Sequence, residues 1–325
     1  MKSINILFHG ASVTAQGGES SYLHQLEKLL KQNTTDNIDS NTKPRYSLKI
    51  TKKGYGGSHF GDAGFLTLDN DTIGNIDICL LEWNTTSQSA FEEAKLQYMV
   101  DLLKNKGIIT IFLILARTDN LTSDTSRMCE RQVTIYCQEN SIGLLDYRSL
   151  IEPELDLRDN VHTNTRGACK YAEKLNIDIR FITDNFKQQS PVGPATKLRY
   201  CVSADQGINM DIQEGATIRL NFSGISNGAH LIVGTIKGPS SAIIEVNFNK
   251  KICIWDQWSH YERSGFQAIS HEFCEVLEGR GHVEISVLSD KIDYSVCKRV
   301  FSYSGIKYFK IRGIFAVNCV FDFIS

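Results

Sequence analysis

The chain has 325 residues, of which 42% are hydrophobic and 22% are charged, a composition that is typical of a folded protein and argues against intrinsic disorder. At about 150 residues per domain, this length predicts two domains. The 35 basic and 37 acidic residues give a formal net charge of −2, so the overall charge gives no support for binding nucleic acid or an anionic membrane. No apolar run reaches the about 18 residues that a membrane span needs.

Cysteine usage and the N-terminal segment bear on the cellular compartment. The nine cysteines are scattered and none is spaced as Cys-x-x-Cys, which argues against a zinc knuckle or a thioredoxin-like motif. The first ten residues carry one positive charge and too short an apolar stretch for a secretory signal, and they are predicted to form a strand. We therefore expect a cytoplasmic protein in which every cysteine is a free thiol.

The first half of the chain alternates strand and helix patterns. Short apolar or alternating runs predict strands at 4–9, 46–51, 76–81, 108–115 and 144–147. Apolar residues at helical spacing predict helices at 20–31, 91–105, 126–140 and 165–175. Strands that alternate with helices form right-handed crossovers, so we expect a three-layer α/β domain over residues 1–187, with a parallel sheet in flavodoxin-like order.

The second half has a different pattern. A segment at 188–197 contains Pro191, Gly193 and Pro194 and is predicted to be a linker. Short runs rich in Val, Ile, Phe and Thr follow at 217–222, 230–235, 242–248, 251–255, 282–288 and 307–311. They predict a separate domain over residues 195–325, an antiparallel β-sandwich or jelly roll.

Four short segments of the first half carry side chains suited to catalysis. They are Gly10-Ala11-Ser12-Val13-Thr14 after the first strand, Gly54-Tyr55-Gly56-Gly57 after the second, Glu82-Trp83-Asn84-Thr85 after the third, and Asp159-Asn160-Val161-His162 before the last helix. Ligands bind at the carboxyl edge of such sheets. A serine there can act as a nucleophile, glycine N–H and asparagine amide groups can donate to an oxyanion, and an aspartate can orient a histidine. Each segment taken alone is also an ordinary turn or cap.

Together and in this order, the four segments resemble the SGNH hydrolases, the GDSL esterase and lipase superfamily, over roughly residues 1–185. The resemblance implies a catalytic triad of Ser12, His162 and Asp159. It implies an oxyanion hole formed by the Ser12 N–H, the Gly57 N–H and the Asn84 amide, with Gly56 as the alternative to Gly57. It implies that His162 acts as general base for Ser12 and that an acyl-serine forms, with no cofactor and no metal.

Two of the segments depart from the family pattern. Ala11 stands where the family often has an aspartate, which is not a triad member. Glu82 and Trp83 precede Asn84 where a Gly-x-Asn-Asp pattern is common, and Thr85 replaces the final aspartate of that pattern. The second departure predicts a narrower or differently charged pocket.

Other side chains have both a functional and an ordinary interpretation. His9 is predicted to be a core histidine of the first strand. His59 either lines the mouth of the pocket or is solvated, and Arg117 either contacts substrate or is a paired arginine. The aromatic cluster at 255–261 is either a platform for stacking sugars or part of a β-domain core. Three histidines of the second half, His260, His271 and His282, lack metal-ligand spacing.

Three functions remain open. The first is an esterase that removes a small acyl group, foremost acetyl, from a carbohydrate or related small-molecule ester. The second is an O-acyltransferase that modifies a glycan precursor with the same site. The third is a glycan-binding protein without activity, against which the complete set of Ser12, Asn84, Asp159 and His162 argues. We expect hydrolysis rather than transfer.

Overall fold

The computed structural model describes residues 2–36, 46–55, 73–83, 93–118, 124–185, 200–202, 210–224, 230–237, 240–248, 251–256, 267–273, 280–289, 305–317 and 319–324. Contacts divide these residues into two units, one built from the described residues up to 185 and the other from those from 200 onward. Among the helices within these ranges, none combines the length and apolarity that crossing a membrane requires.

The first unit alternates strands and helices. Its strands are β1 (Lys2–Gly10), β2 (Tyr46–Gly54), β3 (Ile78–Glu82), β4 (Ile109–Ile114) and β5 (Gly143–Asp146). Its helices are α1 (Ser12–Ala15), α2 (Tyr22–Asp36), α3 (Glu93–Asn105), α4 (Asp124–Glu139), α5 (Pro153–Asp156) and α6 (Thr165–Asp184). All five strands are parallel, in the order β2-β1-β3-β4-β5. The predicted three-layer α/β fold is therefore confirmed.

The core of this unit lies on both faces of the sheet. Residues of β1, β3 and β4 point alternately to the two sides, and β3 is buried along its whole length, as a central parallel strand should be. On one face, apolar residues of α2 and α6 pack on the strands. The predicted helix at 165–175 extends to Asp184, because buried positions recur at helical spacing as far as Ile179 and Thr183.

The second unit consists of strands. They are β6 (Tyr200–Val202), β7 (Met210–Gln213), β8 (Thr217–Gly224), β9 (His230–Lys237), β10 (Ile243–Phe248), β11 (Lys251–Asp256), β12 (Gln267–Phe273), β13 (Arg280–Leu288), β14 (Tyr308–Val317) and β15 (Cys319–Ile324). They form two antiparallel sheets, β11-β10-β13-β8-β15 and β12-β9-β14-β6, with β7 paired to β14. Alternate residues of β8, β10 and β13 are buried, the pattern of a sheet with one face in a core. This unit agrees with the predicted antiparallel β-sandwich.

Four cysteines have described side chains, and all four are free thiols: Cys79, Cys129, Cys137 and Cys169. Burial raises the pKa of the Cys137 thiol to about 12, so this side chain stays protonated and packs as a small apolar group. The free thiols expected at the other positions stay a prediction.

Candidate active site

The turn after β1 places Ser12 at the carboxyl edge of the sheet. Gly10 ends β1 and pairs with Gly54 of β2 on one side and with Glu82 of β3 on the other. Ala11 is extended, at φ −82° and ψ −152°, and donates its N–H to the Glu82 carbonyl at 3.0 Å. Helix α1 then begins at Ser12, whose side chain is half-buried. The nucleophile candidate therefore follows a central strand, where open α/β sheets bind ligands.

Two glycines allow this turn to pack against its neighbouring strands. A Cβ atom on Gly10 would lie 2.4 Å from the Glu82 carbonyl oxygen. A Cβ atom on Gly54 would lie 2.2 Å from the backbone nitrogen of Ala15. Backbone atoms at such distances cannot be moved aside as a flexible side chain can, so α1 lies this close to β2 only because position 54 lacks a side chain.

Gly54→Ala should push α1 away from the sheet and displace Ser12. We expect the free energy of unfolding to fall by about 1–3 kcal/mol, as for other overpacked sites, and ester hydrolysis to fall with it. Gly17→Ala is the matched control, because nothing lies within 4 Å of a Cβ atom there. Urea unfolding of both variants tests this, and equal midpoints would contradict the close packing of α1 on β2.

A tight loop between α5 and α6 carries Asp159 and His162. Leu157 and Thr163 form an antiparallel bridge, and the Arg158 N–H donates to the His162 carbonyl at 2.8 Å. The Asp159 side chain stabilises the loop by hydrogen bonding to its backbone, since its Oδ1 accepts the N–H groups of His162 and Val161 at 2.8 and 3.0 Å. These bonds hold the imidazole in one orientation.

The structure brings three of the predicted site residues together. His162 Nε2 lies 2.9 Å from Ser12 Oγ. His162 Nδ1 lies 3.0 Å from each oxygen of the Asp159 carboxylate. An ionised carboxylate can only accept a hydrogen bond, so the ring proton is at Nδ1 and faces Asp159. This leaves Nε2 as the acceptor for the Ser12 hydroxyl. The arrangement is that of a Ser–His–Asp triad.

The loop environment keeps Asp159 ionised. Burial by itself would raise the pKa of the Asp159 carboxyl, but the N–H groups of His162 and Val161 and the imidazole outweigh it and hold the pKa below its usual range. The side chain nevertheless is 49% exposed, so water screens part of its charge. Asp159 is therefore an anion at neutral pH, as orienting a histidine requires.

Of the predicted oxyanion donors, only Ser12 lies within the described residues, at the first position of α1. Gly56, Gly57 and Asn84 lie outside them and stay predictions. The flanking chain is described, and the Tyr55 N–H donates to the Gly10 carbonyl at 2.9 Å. Tyr55 and Glu82, which stand at the described ends of these two segments, therefore lie beside the turn that carries Ser12.

Two contacts that the sequence did not indicate hold the loop of Asp159 and His162 in place. Gln16, at the end of α1, donates its Nε2 to the carbonyl of Thr163 at 2.9 Å and to that of Ser20 at 2.7 Å. Thr118, after β4, donates its N–H to the Asn160 carbonyl at 2.9 Å. Partners separated by 147 and 42 positions leave no local sequence signal.

The other candidates are core or paired residues where the structure describes them. His9 is buried and accepts the Trp83 Nε1–H at Nδ1, 3.0 Å away. Arg117 is paired with Glu130 at 2.6 Å, with only 4% of its side chain exposed, so the ordinary interpretation holds. His59 lies outside the described residues, as does the cluster 255–261 after Asp256. In the described part of the chain, no three His, Cys, Asp or Glu side chains group as a metal site needs.

Glu82 and Trp83, the two residues from which the sequence predicts a narrower or differently charged pocket, are both buried. Glu82 is 0% exposed and Trp83 1% exposed, and Trp83 stacks on Tyr55 at a centroid distance of 6.2 Å. Both side chains are therefore buried in the packing around the ends of β1, β2 and β3. The shape and charge of the pocket itself stay a prediction.

Comparisons with known proteins give structural matches alone. No protein-family model and no curated protein matches the chain. A carbohydrate acetylesterase family member from Sinorhizobium meliloti is 15% identical and covers 57% of this chain and 100% of its own, with a TM-score of 0.43. The psychrotrophic esterase EstA from Pseudoalteromonas sp. is 15% identical and covers 56% and 99%, with a TM-score of 0.42. A member of the lipolytic protein G-D-S-L family from Veillonella parvula is 15% identical and covers 53% and 96%, with a TM-score of 0.40.

The sheet order and the triad geometry agree with the resemblance to the SGNH hydrolases. The order β2-β1-β3-β4-β5 is the one that the resemblance implies. Ser12 follows β1 and Asp159 and His162 precede the last helix of the sheet unit, as in the family's first and last blocks. The first unit of this chain is therefore a parallel α/β domain with a Ser–His–Asp arrangement at the carboxyl edge of its sheet, and in these features it resembles the SGNH hydrolases.

Proposed function

We propose that this chain is a serine esterase that removes a small acyl group, foremost acetyl, through an acyl-serine intermediate. The observation that carries the proposal is the continuous contact from Ser12 Oγ through the His162 ring to the Asp159 carboxylate, at 2.9 and 3.0 Å. A nucleophile, a base and an orienting group within hydrogen-bond reach are the components that covalent acyl transfer needs.

The first half of the reaction forms the acyl-serine. His162 accepts the Ser12 proton at Nε2 while Oγ attacks the ester carbonyl carbon. The tetrahedral intermediate then collapses as His162 returns that proton to the leaving alkoxide. Asp159 stabilises the imidazolium in between, and its short contacts to Nδ1 keep the ring from turning.

The second half releases the acid. Water takes the place of the alcohol, His162 accepts its proton, and the water oxygen attacks the acyl-serine carbonyl. The bond between the acyl carbon and Ser12 Oγ then breaks, and His162 returns the proton to Oγ as the acid leaves. In both halves the Ser12 N–H, the Gly57 N–H and the Asn84 amide are the proposed oxyanion donors. Each such donor is typically worth about 3 kcal/mol in the transition state.

A carbohydrate ester is the proposed substrate. We assign catalysis to the predicted domain 1–187 and sugar binding to the predicted domain 195–325. Support comes from the antiparallel sheets of the second unit and from the aromatic cluster at 255–261, since aromatic faces offer flat apolar surface with a polar rim. This part of the proposal is an analogy at the level of domain architecture.

Hydrolysis is preferred to transfer. A Trp83 side chain placed over the acyl-serine would shield it from water and favour transfer, but Trp83 is buried against His9 and Tyr55. With this shield absent from the described site, water has the advantage over a sugar hydroxyl.

A fluorophosphonate probe tests the nucleophile, and a panel of acetylated sugars and aryl esters tests the substrate. The wild type should be labelled and should release acetate from at least one ester, whereas Ser12→Ala should do neither. Ser3→Ala, an exposed serine of β1, is the matched control and should behave as the wild type.

Two outcomes would count against the proposal. A wild-type chain that the probe does not label, and that leaves every ester intact, is a binding protein. If acetate appears only slowly when a candidate sugar is added and the acetylated sugar dominates, the chain is an acyltransferase.

A further inference from the structure

A buried carboxylate lies directly beneath the turn that carries Ser12. Glu82, the last residue of β3, has no exposed surface, and its Oε2 accepts the Thr14 hydroxyl at 2.8 Å and the Thr14 N–H at 3.2 Å. Thr14 belongs to α1, two residues after Ser12. The side chain of β3 thus reaches across to the middle of the nucleophile turn.

Tyr22 completes this polar contact. Its hydroxyl lies 3.0 Å from Thr14 Oγ1, and since the single Thr14 hydroxyl proton goes to Glu82, the Tyr22 hydroxyl is the donor. Burial, and next the negative charge of Glu82, raise the pKa of Tyr22, so this hydroxyl keeps its proton. The chain of bonds therefore has one direction, from Tyr22 through Thr14 to Glu82.

A carboxylate in this position calls for an explanation beyond stability. Burying a charge is unfavourable unless hydrogen bonds compensate it, and apolar residues of the same volume usually stabilise a fold as well or better. Glu82 also stands where the family pattern commonly has glycine. The carboxylate fixes the position of Thr14, because charge-assisted hydrogen bonds are short and restrict the position of their donor.

Helix α1 needs such restraint. It has only four residues, and a single helical turn is not stable by itself. Its start is held by the bond from Ala11 to the Glu82 carbonyl, and its end by the Gln16 side chain. Between these ends, the Glu82 carboxylate accepts both the hydroxyl and the N–H of Thr14, and so restrains the rotation of the turn that carries Ser12.

We propose that Glu82 is a positioning residue, whose carboxylate acts through Thr14 to hold Ser12 Oγ in line with His162 Nε2. The role rests on the proposed function, since it concerns the same nucleophile. Glu82 has no exposed surface, so it acts on the nucleophile and not on substrate binding. Its loss should therefore lower kcat and leave KM unchanged.

The test compares Glu82→Gln, Thr14→Val and the double variant with the wild type. Concentrations are set by titrating Ser12 with the fluorophosphonate probe, so that every rate refers to folded, reactive chains. A displacement of about 1 Å at a reacting atom costs up to about 100-fold, and we expect each single variant to lower kcat by about tenfold to 100-fold. The rate of probe labelling should fall by a similar factor.

The double variant and a rescue separate positioning from a loss of stability. Because both residues act through the same contact between Thr14 and Glu82, the double variant should be no slower than the slower single variant. Thr14→Ser restores the hydroxyl and should recover most of the lost kcat. Thr110→Val is the matched control: this threonine of β4 is 7% exposed, and its Oγ1 has no hydrogen-bond partner among the described residues.

Three results would overturn the proposal. A Glu82→Gln chain whose kcat per titrated Ser12 stays within about twofold of the wild type shows that the carboxylate is structural only. If Glu82→Gln does not fold, an unchanged kcat in Thr14→Val leads to the same conclusion. If the wild type itself is not labelled at Ser12, the proposed function fails first, and the positioning role fails with it.

Discussion

A chain carrying His162→Ala should hydrolyse an aryl ester at least about 10⁴-fold more slowly than the wild type. Among the described residues, the hydrogen-bond partner of Ser12 Oγ is His162 Nε2. Removing the imidazole therefore removes the group that accepts the Ser12 proton. The measurement is kcat for 4-nitrophenyl acetate, with correct folding checked by circular dichroism. The rate of fluorophosphonate labelling should fall together with kcat.

Residues that act as one unit are strongly non-additive. Combining His162→Ala with Ser12→Ala should therefore cost little more than either change alone. His24→Ala is the control, because His24 also lies beside a carboxylate, Glu19 at 3.4 Å, but on an exposed surface of α2. An activity of His162→Ala above about a tenth of the wild type would refute the triad.

Asp159→Asn should lower kcat by about 10²-fold to 10³-fold. The asparagine keeps an oxygen for the N–H groups of His162 and Val161, and so preserves the loop, but it removes the charge that faces Nδ1. A fully buried aspartate in this role is worth about 10⁴-fold. We expect less here because Asp159 is 49% exposed and water screens its charge.

The loss of kcat caused by Asp159→Asn should become smaller at acid pH. The pKa of Asp159 lies below its usual range, so its carboxylate contributes through neutral pH and loses that contribution only as the pH falls through this lowered value. The kcat ratio of wild type to Asp159→Asn should accordingly stay constant at neutral pH and shrink in acid. Glu19→Gln is the control for removing an exposed carboxylate. An Asp159→Asn chain within about twofold of the wild type at pH 7 would reduce Asp159 to a loop residue.

The elements of the first unit were predictable because their signals are local. Buried parallel strands are continuous apolar runs and helices show a repeat of 3.6 residues, so β1, α3 and β4 agree with their predicted ranges to within about two residues. In the second unit, the predicted runs omit β6, β7, β12 and β15. β7 has a single buried residue, Ile212, and four residues are too few for an alternation to stand out.

The amino-acid sequence by itself determined which residues carry the proposed chemistry. A serine after the first strand and Asp-x-x-His before the last helix are local motifs, and a parallel sheet brings such strand ends to one edge. The resemblance of these segments, in their order, to the SGNH hydrolases indicated Ser12, Asp159 and His162, although 150 positions separate the serine from the histidine. That resemblance rests on motifs along the chain and needs no knowledge of how the elements pack.

Only the tertiary structure decided what supports these residues. The bonds from Thr14 to Glu82 and from Gln16 to Thr163 span 68 and 147 positions, and no periodicity or motif links such partners. The same limit explains why the burial of Glu82 and Trp83 was not predicted, since from sequence alone they are polar and aromatic residues beside Asn84. Whether a side chain at a strand end turns toward solvent or under its neighbours depends on what packs there, and in this chain Thr14 packs on Glu82 while His9 and Tyr55 pack on Trp83.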